Sequence, residues 1–127
     1  MTTLLLDTLA LVWVVTRPSR LSRRATDALT DQTDRMLVSA VSAYEVEFKR
    51  DRSEELGRMP PELVEATLSM GFDWIDLAPE HCVAAGRLPR LHGDPFDRLL
   101  VAQAIAENAS LVTADRWIPA YGVPTLW

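Results

Sequence analysis

One pattern constrains this chain more than any other: a short apolar run that ends in an acid, followed at once by a helix start. Residues 3 to 6, TLLL, lead directly into Asp7, and SLVTAD repeats the arrangement up to Asp115. Apolar runs this short cannot be core helices, and bounded by helix starts they read as strands buried on both faces. Between them lie amphipathic segments of helical period. The spacing predicts helices over 8–15, from Ser19 or Ser22 to 33, from Ser42 to 52, over 61–70 with Gly71 closing it, from Pro79 through PEHCVAAGRL, and through PFDRLLVAQAIAENA. It predicts strands near 3–6 and 36–39, in FDWIDL, in SLVTA and at the carboxyl end of RWIPAYGVPTLW.

Strands alternating with helices define an α/β fold of three layers, with a mainly parallel central sheet of four to five strands and helices on both faces. Its functional site belongs at the carboxyl ends of the strands. A chain of 127 residues with 48% hydrophobic content is expected to form one domain over 1–127, without linker or internal repeat.

The acids fall where such a site is expected. Asp7 ends the first strand, Asp115 follows the strand SLVTA, Asp97 lies in the first turn of the long helix, and Glu45 is expected at the third position of a helix capped by Ser42. Taken singly, each has a plain explanation as a helix N-terminal acid or a turn cap, worth about 0.3–1 kcal/mol. Asp94, followed by Pro95, is what a helix entrance requires, because the side chain accepts an orphan N–H and proline at the first position loses none. Taken together, carboxylates brought to one sheet edge repel unless a cation neutralises them. Oxygen-only ligands select hard divalent ions, which act on phosphate esters.

Other classes lack their residues. With five scattered glycines there is no Rossmann or P-loop turn. A receiver domain needs a late lysine, and the single lysine is Lys49; a haloacid-dehalogenase-like phosphatase needs a second acid where Leu9 stands. The single Cys82, expected in a buried helix position, excludes internal disulfides and suits a reducing cytoplasm. MTTLLLDTLALVWVV lacks a basic start and is broken by Asp7, so no membrane span is expected. The net charge of −5 disfavours binding nucleic acid by bulk charge, although Arg17, Arg20, Arg23 and Arg24, and again Lys49, Arg50, Arg52 and Arg58, are locally basic. His92 precedes the acidic block and reads most simply as a surface histidine.

LLLDTLALVW, SAVSAYEVEFK, HGDPFDRLLVAQAIAENASLVTAD and RWIPAYGVPTLW, in this order and spacing, resemble the PIN domain, and specifically the VapC-type ribonuclease toxins of toxin–antitoxin pairs. The resemblance covers nearly the whole chain. It implies an endoribonuclease that depends on Mg2+ or Mn2+, with Asp7, Glu45, Asp97 and Asp115 as catalytic and metal-binding acids and water rather than a side chain as nucleophile. It gives Asp94 and Thr113 an outer role and implies a homodimer and a small VapB-like antitoxin. Arg98, Arg116 and the segment from Arg17 to Arg24 are candidate phosphate contacts on RNA, with Trp13 or Trp117 as stacking platforms. Relatives often carry histidine at the position of Leu9, so any contact made from there is in doubt. The alternative within the same family is a catalytically weak module that binds RNA or protein.

Overall fold

The computed structural model describes residues 2–91 and 93–127; the histidine at 92 lies outside them. Five strands, β1 (Thr3–Leu6), β2 (Arg35–Ser39), β3 (Asp73–Ile75), β4 (Ser110–Val112) and β5 (Thr125–Leu126), pair in the order β3-β2-β1-β4-β5, every pair parallel. β1 is central, with Leu5 in register with Leu37 of β2 on one side and Leu111 of β4 on the other.

Among the described residues seven α-helices supply the outer layers: α1 (Thr8–Thr16), α2 (Arg23–Thr30), α3 (Ala40–Lys49), α4 (Glu54–Gly57), α5 (Leu63–Ser69), α6 (Pro79–Arg87) and α7 (Pro95–Ala106). The pleat alternation of β1 divides the core. Leu4 and Leu6 pack with Leu11, Val12, Ala25 and Phe72 on one face, while Leu5 packs with Leu37, Leu100, Val101 and Leu111 on the other. Each face is sealed by helices, which is why Leu4, Leu5 and Leu6 follow one another without a polar residue between them.

Local chemistry explains most boundaries. Ser22 caps α2 by accepting from the Ala25 N–H, Gly71 takes φ of 93° after α5, and Asn108 takes φ of 52° after α7, where its short polar side chain tolerates the left-handed conformation. One boundary differs from expectation and moves a site residue. α3 is capped by Ser39, whose hydroxyl accepts from the Val41 N–H, not by Ser42. The strand turns into the helix with no loop between them, so Glu45 stands in the second helical turn and gains little from the helix dipole. Ser42 is instead buried, its hydroxyl 2.9 Å from that of Thr8. The short α4 has no counterpart in the predicted elements; Ser53 caps it. Cys82 is exposed rather than buried, because α6 turns Ala85 inward and leaves Cys82 and Val83 facing out. No helix of the described residues is long and apolar enough to cross a membrane.

Candidate active site

β1 and β4 are neighbours, but the chain leaves them differently: β1 runs into α1, and β4 into an irregular turn. The crevice between these exits is the switch point of the sheet. Asp7 sits at its base. The Asp7 N–H donates to the Val112 carbonyl at 3.1 Å, and its Oδ1 accepts from the Ala10 N–H at 2.8 Å, so the acid ends the strand and caps α1 at once. Thr113 is buried beside it; its hydroxyl donates to the Asp7 carboxylate and accepts from the Asp115 N–H at 3.1 Å. Asp115 accepts from the Trp117 N–H at 2.8 Å, which fixes the turn that presents it.

From the other side, α7 brings Asp94 and Asp97. Asp94 is the cap, accepting from the N–H groups of Phe96 and Asp97. Asp97, three residues on, is therefore not required for capping. α3 contributes Glu45, buried, and Lys49, whose Nζ lies 2.6 Å from Glu45 Oε2. A cavity of about 440 Å³ is lined by Asp7, Glu45, Asp94, Asp97 and Asp115 with Lys49, and continues along an apolar wall of Leu9, Val12, Trp13 and Leu56.

The electrostatics match this crowding. Burial pushes the Asp7 carboxyl up to about 6, against the hydrogen bonds from Thr113 and Ala10, and the charges of Asp115 and Glu45 push the same way as burial. The Lys49 ammonium is raised by its hydrogen bond to Glu45 and by the charges of Asp94 and Asp97. Among the described residues no three side chains already surround one point as metal ligands would. Like charges spread along a cavity wall, and Lys49 draws Glu45 to itself. The donor set itself, carboxylates with one threonine hydroxyl between two of them, has the chemistry of a site for a hard divalent ion.

All four predicted ligands and both outer residues thus meet at one cavity or border it. Arg116 is exposed next to Asp115, and Trp117 is exposed as well. Trp13 is a wall residue, its indole N–H donating to Glu55 and its ring against Trp127. Arg98 does not face the cavity. It is only 8% exposed, and its guanidinium donates to the carbonyls of Ala85, Leu88 and Pro89, tying the end of α6 to α7. A helix C-terminus leaves carbonyls unsatisfied, and a planar fork of donors on the adjoining helix meets them. In this fold the Arg98 guanidinium is engaged in holding α6 to α7. Arg98→Met is expected to destabilise the fold by about 2–4 kcal/mol, because several buried carbonyls lose a charged donor; the urea midpoint checks this. In the second basic stretch, Arg50 is held by Glu47 and the carbonyls of Met59 and Pro60, and Arg58 by Glu54. Local pairing therefore absorbs much of that charge. The residue underrated by sequence reasoning is Lys49; its signal was the spacing of four from Glu45.

A family model for the PIN domain matches residues 4–123, and the chain belongs to that family. Ribonuclease VapC22 of Mycobacterium tuberculosis (strain ATCC 25618 / H37Rv) is 31% identical over 131 residues, covering 100% of both chains. The fold is shared with VapBC2 from Rickettsia felis, solved bound to a DNA fragment from its promoter (TM-score 0.73, 19% identity, 98% of this chain and 96% of that one). It is also shared with VapBC-1 from nontypeable Haemophilus influenzae (TM-score 0.65, 16% identity, 98% and 96%).

Proposed function

We propose that this PIN-domain chain is an endoribonuclease toxin that hydrolyses RNA phosphodiester bonds with Mg2+ or Mn2+ held by Asp7, Glu45, Asp97 and Asp115, and that a small antitoxin restrains it. The observation that carries the reading is that the end of β1, α3, α7 and the turn after β4 each deliver a carboxylate to the same cavity at the switch point. Full-length similarity to a ribonuclease of the VapC type supports the reaction class.

A divalent ion bound there would supply Lewis-acid stabilisation of the charge that develops at phosphorus and would make water a competent nucleophile near neutral pH. The chain's own residues do the rest. Thr113 fixes the Asp7 carboxylate and the backbone of Asp115 relative to each other, so two acids from different elements keep one geometry. Asp94 locks the first turn of α7 and thereby sets the direction of Asp97. Burial of Asp7 makes its ionised form costly, which favours any bound cation over an empty carboxylate. Arg116 and Trp117, exposed and directly following Asp115 in the chain, suit phosphate contact and base stacking, and single-stranded or looped RNA can reach an open site of this kind more readily than duplex.

The antitoxin reading rests on the other half of the cavity. Leu9, Val12, Trp13 and Leu56 form an apolar wall between α1 and α4 that leads to the acids. An amphipathic helix laid there would bury its apolar face and carry a basic side chain to the carboxylates. VapBC complexes from two bacteria share this fold.

The test is incubation of purified protein, free of any partner, with total cellular RNA in Mg2+, Mn2+ or chelator. Discrete fragments that require metal are expected. Folded protein that leaves all RNA intact in both metals would favour a binding module instead.

A further inference from the structure

Twelve of the thirteen basic residues in this chain are arginine, so the single lysine marks a position where the chain departs from its own habit. That lysine lies in the acid cavity, and among the described residues that line it Lys49 is the only basic one. Its Nζ is 2.6 Å from Glu45 Oε2 and 5.2 Å from the centre of the Phe96 ring, so both the helix that carries it and α7 hold it in place. An ammonium has three donors. Glu45 takes one, leaving donor capacity at the mouth of the cavity, where the Lys49 side chain remains 38% exposed.

We propose that Lys49 is a further catalytic residue, its ammonium donating to a non-bridging oxygen of the scissile phosphate while Glu45 holds it in position. The proposal rests on the nuclease reading. A phosphodiester is an anion, and the approach to this site is lined by carboxylates; a fixed positive charge at the mouth offsets that repulsion and meets the extra charge on phosphate oxygen in the transition state. Lysine suits the task better than arginine here. It is a compact point charge able to serve Glu45 and a single oxygen together, whereas a planar fork paired bidentately with the carboxylate would turn its remaining donors away from that edge.

The competing explanation is that Lys49 only tethers Glu45. Single-turnover cleavage of the RNA that wild-type protein cuts, together with Mn2+ affinity read from the melting temperature, separates the two. Lys49→Met is expected to slow cleavage about 100- to 1000-fold, while Mn2+ binds at least as tightly as in wild type, because a positive charge competing for the acids has gone. Lys49→Arg is expected to recover only part of the rate. A Lys49→Met rate within threefold of wild type overturns the proposal, and so does a loss of Mn2+ affinity that accounts for the lost rate. Asp97→Asn serves as the inactive control. If folded wild-type protein cuts no RNA with either metal, the nuclease reading falls and the role of Lys49 falls with it, an outcome distinct from failure of the lysine alone.

Discussion

Asp97→Asn is expected to abolish RNA cleavage, a loss of at least about 1000-fold, comparable to removing a principal electrostatic group from an active site, while the protein melts within a few degrees of wild type. The structural cost is small because Asp94, not Asp97, accepts the orphan N–H groups at the start of α7. What Asp97 gives the helix is its charge near the positive end of the dipole, about 0.3–1 kcal/mol. Asparagine is isosteric and half-buried like the native residue, so it leaves no void. Electrophoresis of RNA fragments and a melting curve on the same preparation check both halves. A folded variant that cuts RNA at the wild-type rate in Mg2+ would remove Asp97 from the site.

Asp7→Asn is expected to do two opposite things: eliminate cleavage and raise stability at neutral pH. The Asp7 carboxyl sits at about 6 in the folded chain, against an ordinary value of 3.8, chiefly because it is buried. Between these two values the folded state holds the proton and the unfolded state has released it. Stability therefore falls as pH rises through that window, and above it the native state carries a penalty of about 3 kcal/mol for an ionised, buried acid. Asparagine keeps an oxygen to accept from the Ala10 N–H and to meet the Thr113 hydroxyl, and cannot ionise. Urea midpoints should show the variant more stable than wild type by up to about 3 kcal/mol at pH 7.5 and nearly equal to it at pH 3.5. Equal stabilities at both pH values would mean that the burial of Asp7 is not costly, and the physical case for a cation beside it would weaken. Stability sacrificed at a carboxylate cluster is the usual signature of a site shaped for binding rather than for folding.

Features written in contiguous residues were legible without coordinates. The sheet, its parallel sense and the placement of acids at strand ends follow from short apolar runs alternating with helical periods. The capping role of Asp94 follows from the proline after it. Features that depend on distant partners were not legible. Ser39 and Ser42 are equally good caps on paper; only the abrupt end of β2 and the contact of Ser42 with Thr8 decide between them. Arg98 adjoins an acid of the site in sequence and looks like a phosphate ligand, yet a helix rotates neighbouring residues to different faces, and the carbonyls at the end of α6 claim its guanidinium. Lys49 stood in a run of basic residues; its spacing of four from Glu45 signalled that pair, but its place beside Phe96 and among the acids of the cavity depends on how α3 and α7 pack.

Whether these carboxylates form one cation site is decided by a Mn2+ titration of the melting temperature at pH 7.5. Binding to the native state alone must stabilise it, by about 2.7 kcal/mol at a hundredfold excess over Kd. A saturable rise is expected for wild-type protein and little or none for Asp97→Asn or Asp7→Asn. A wild-type melting temperature indifferent to Mn2+, or an equal rise in all three proteins, would contradict it.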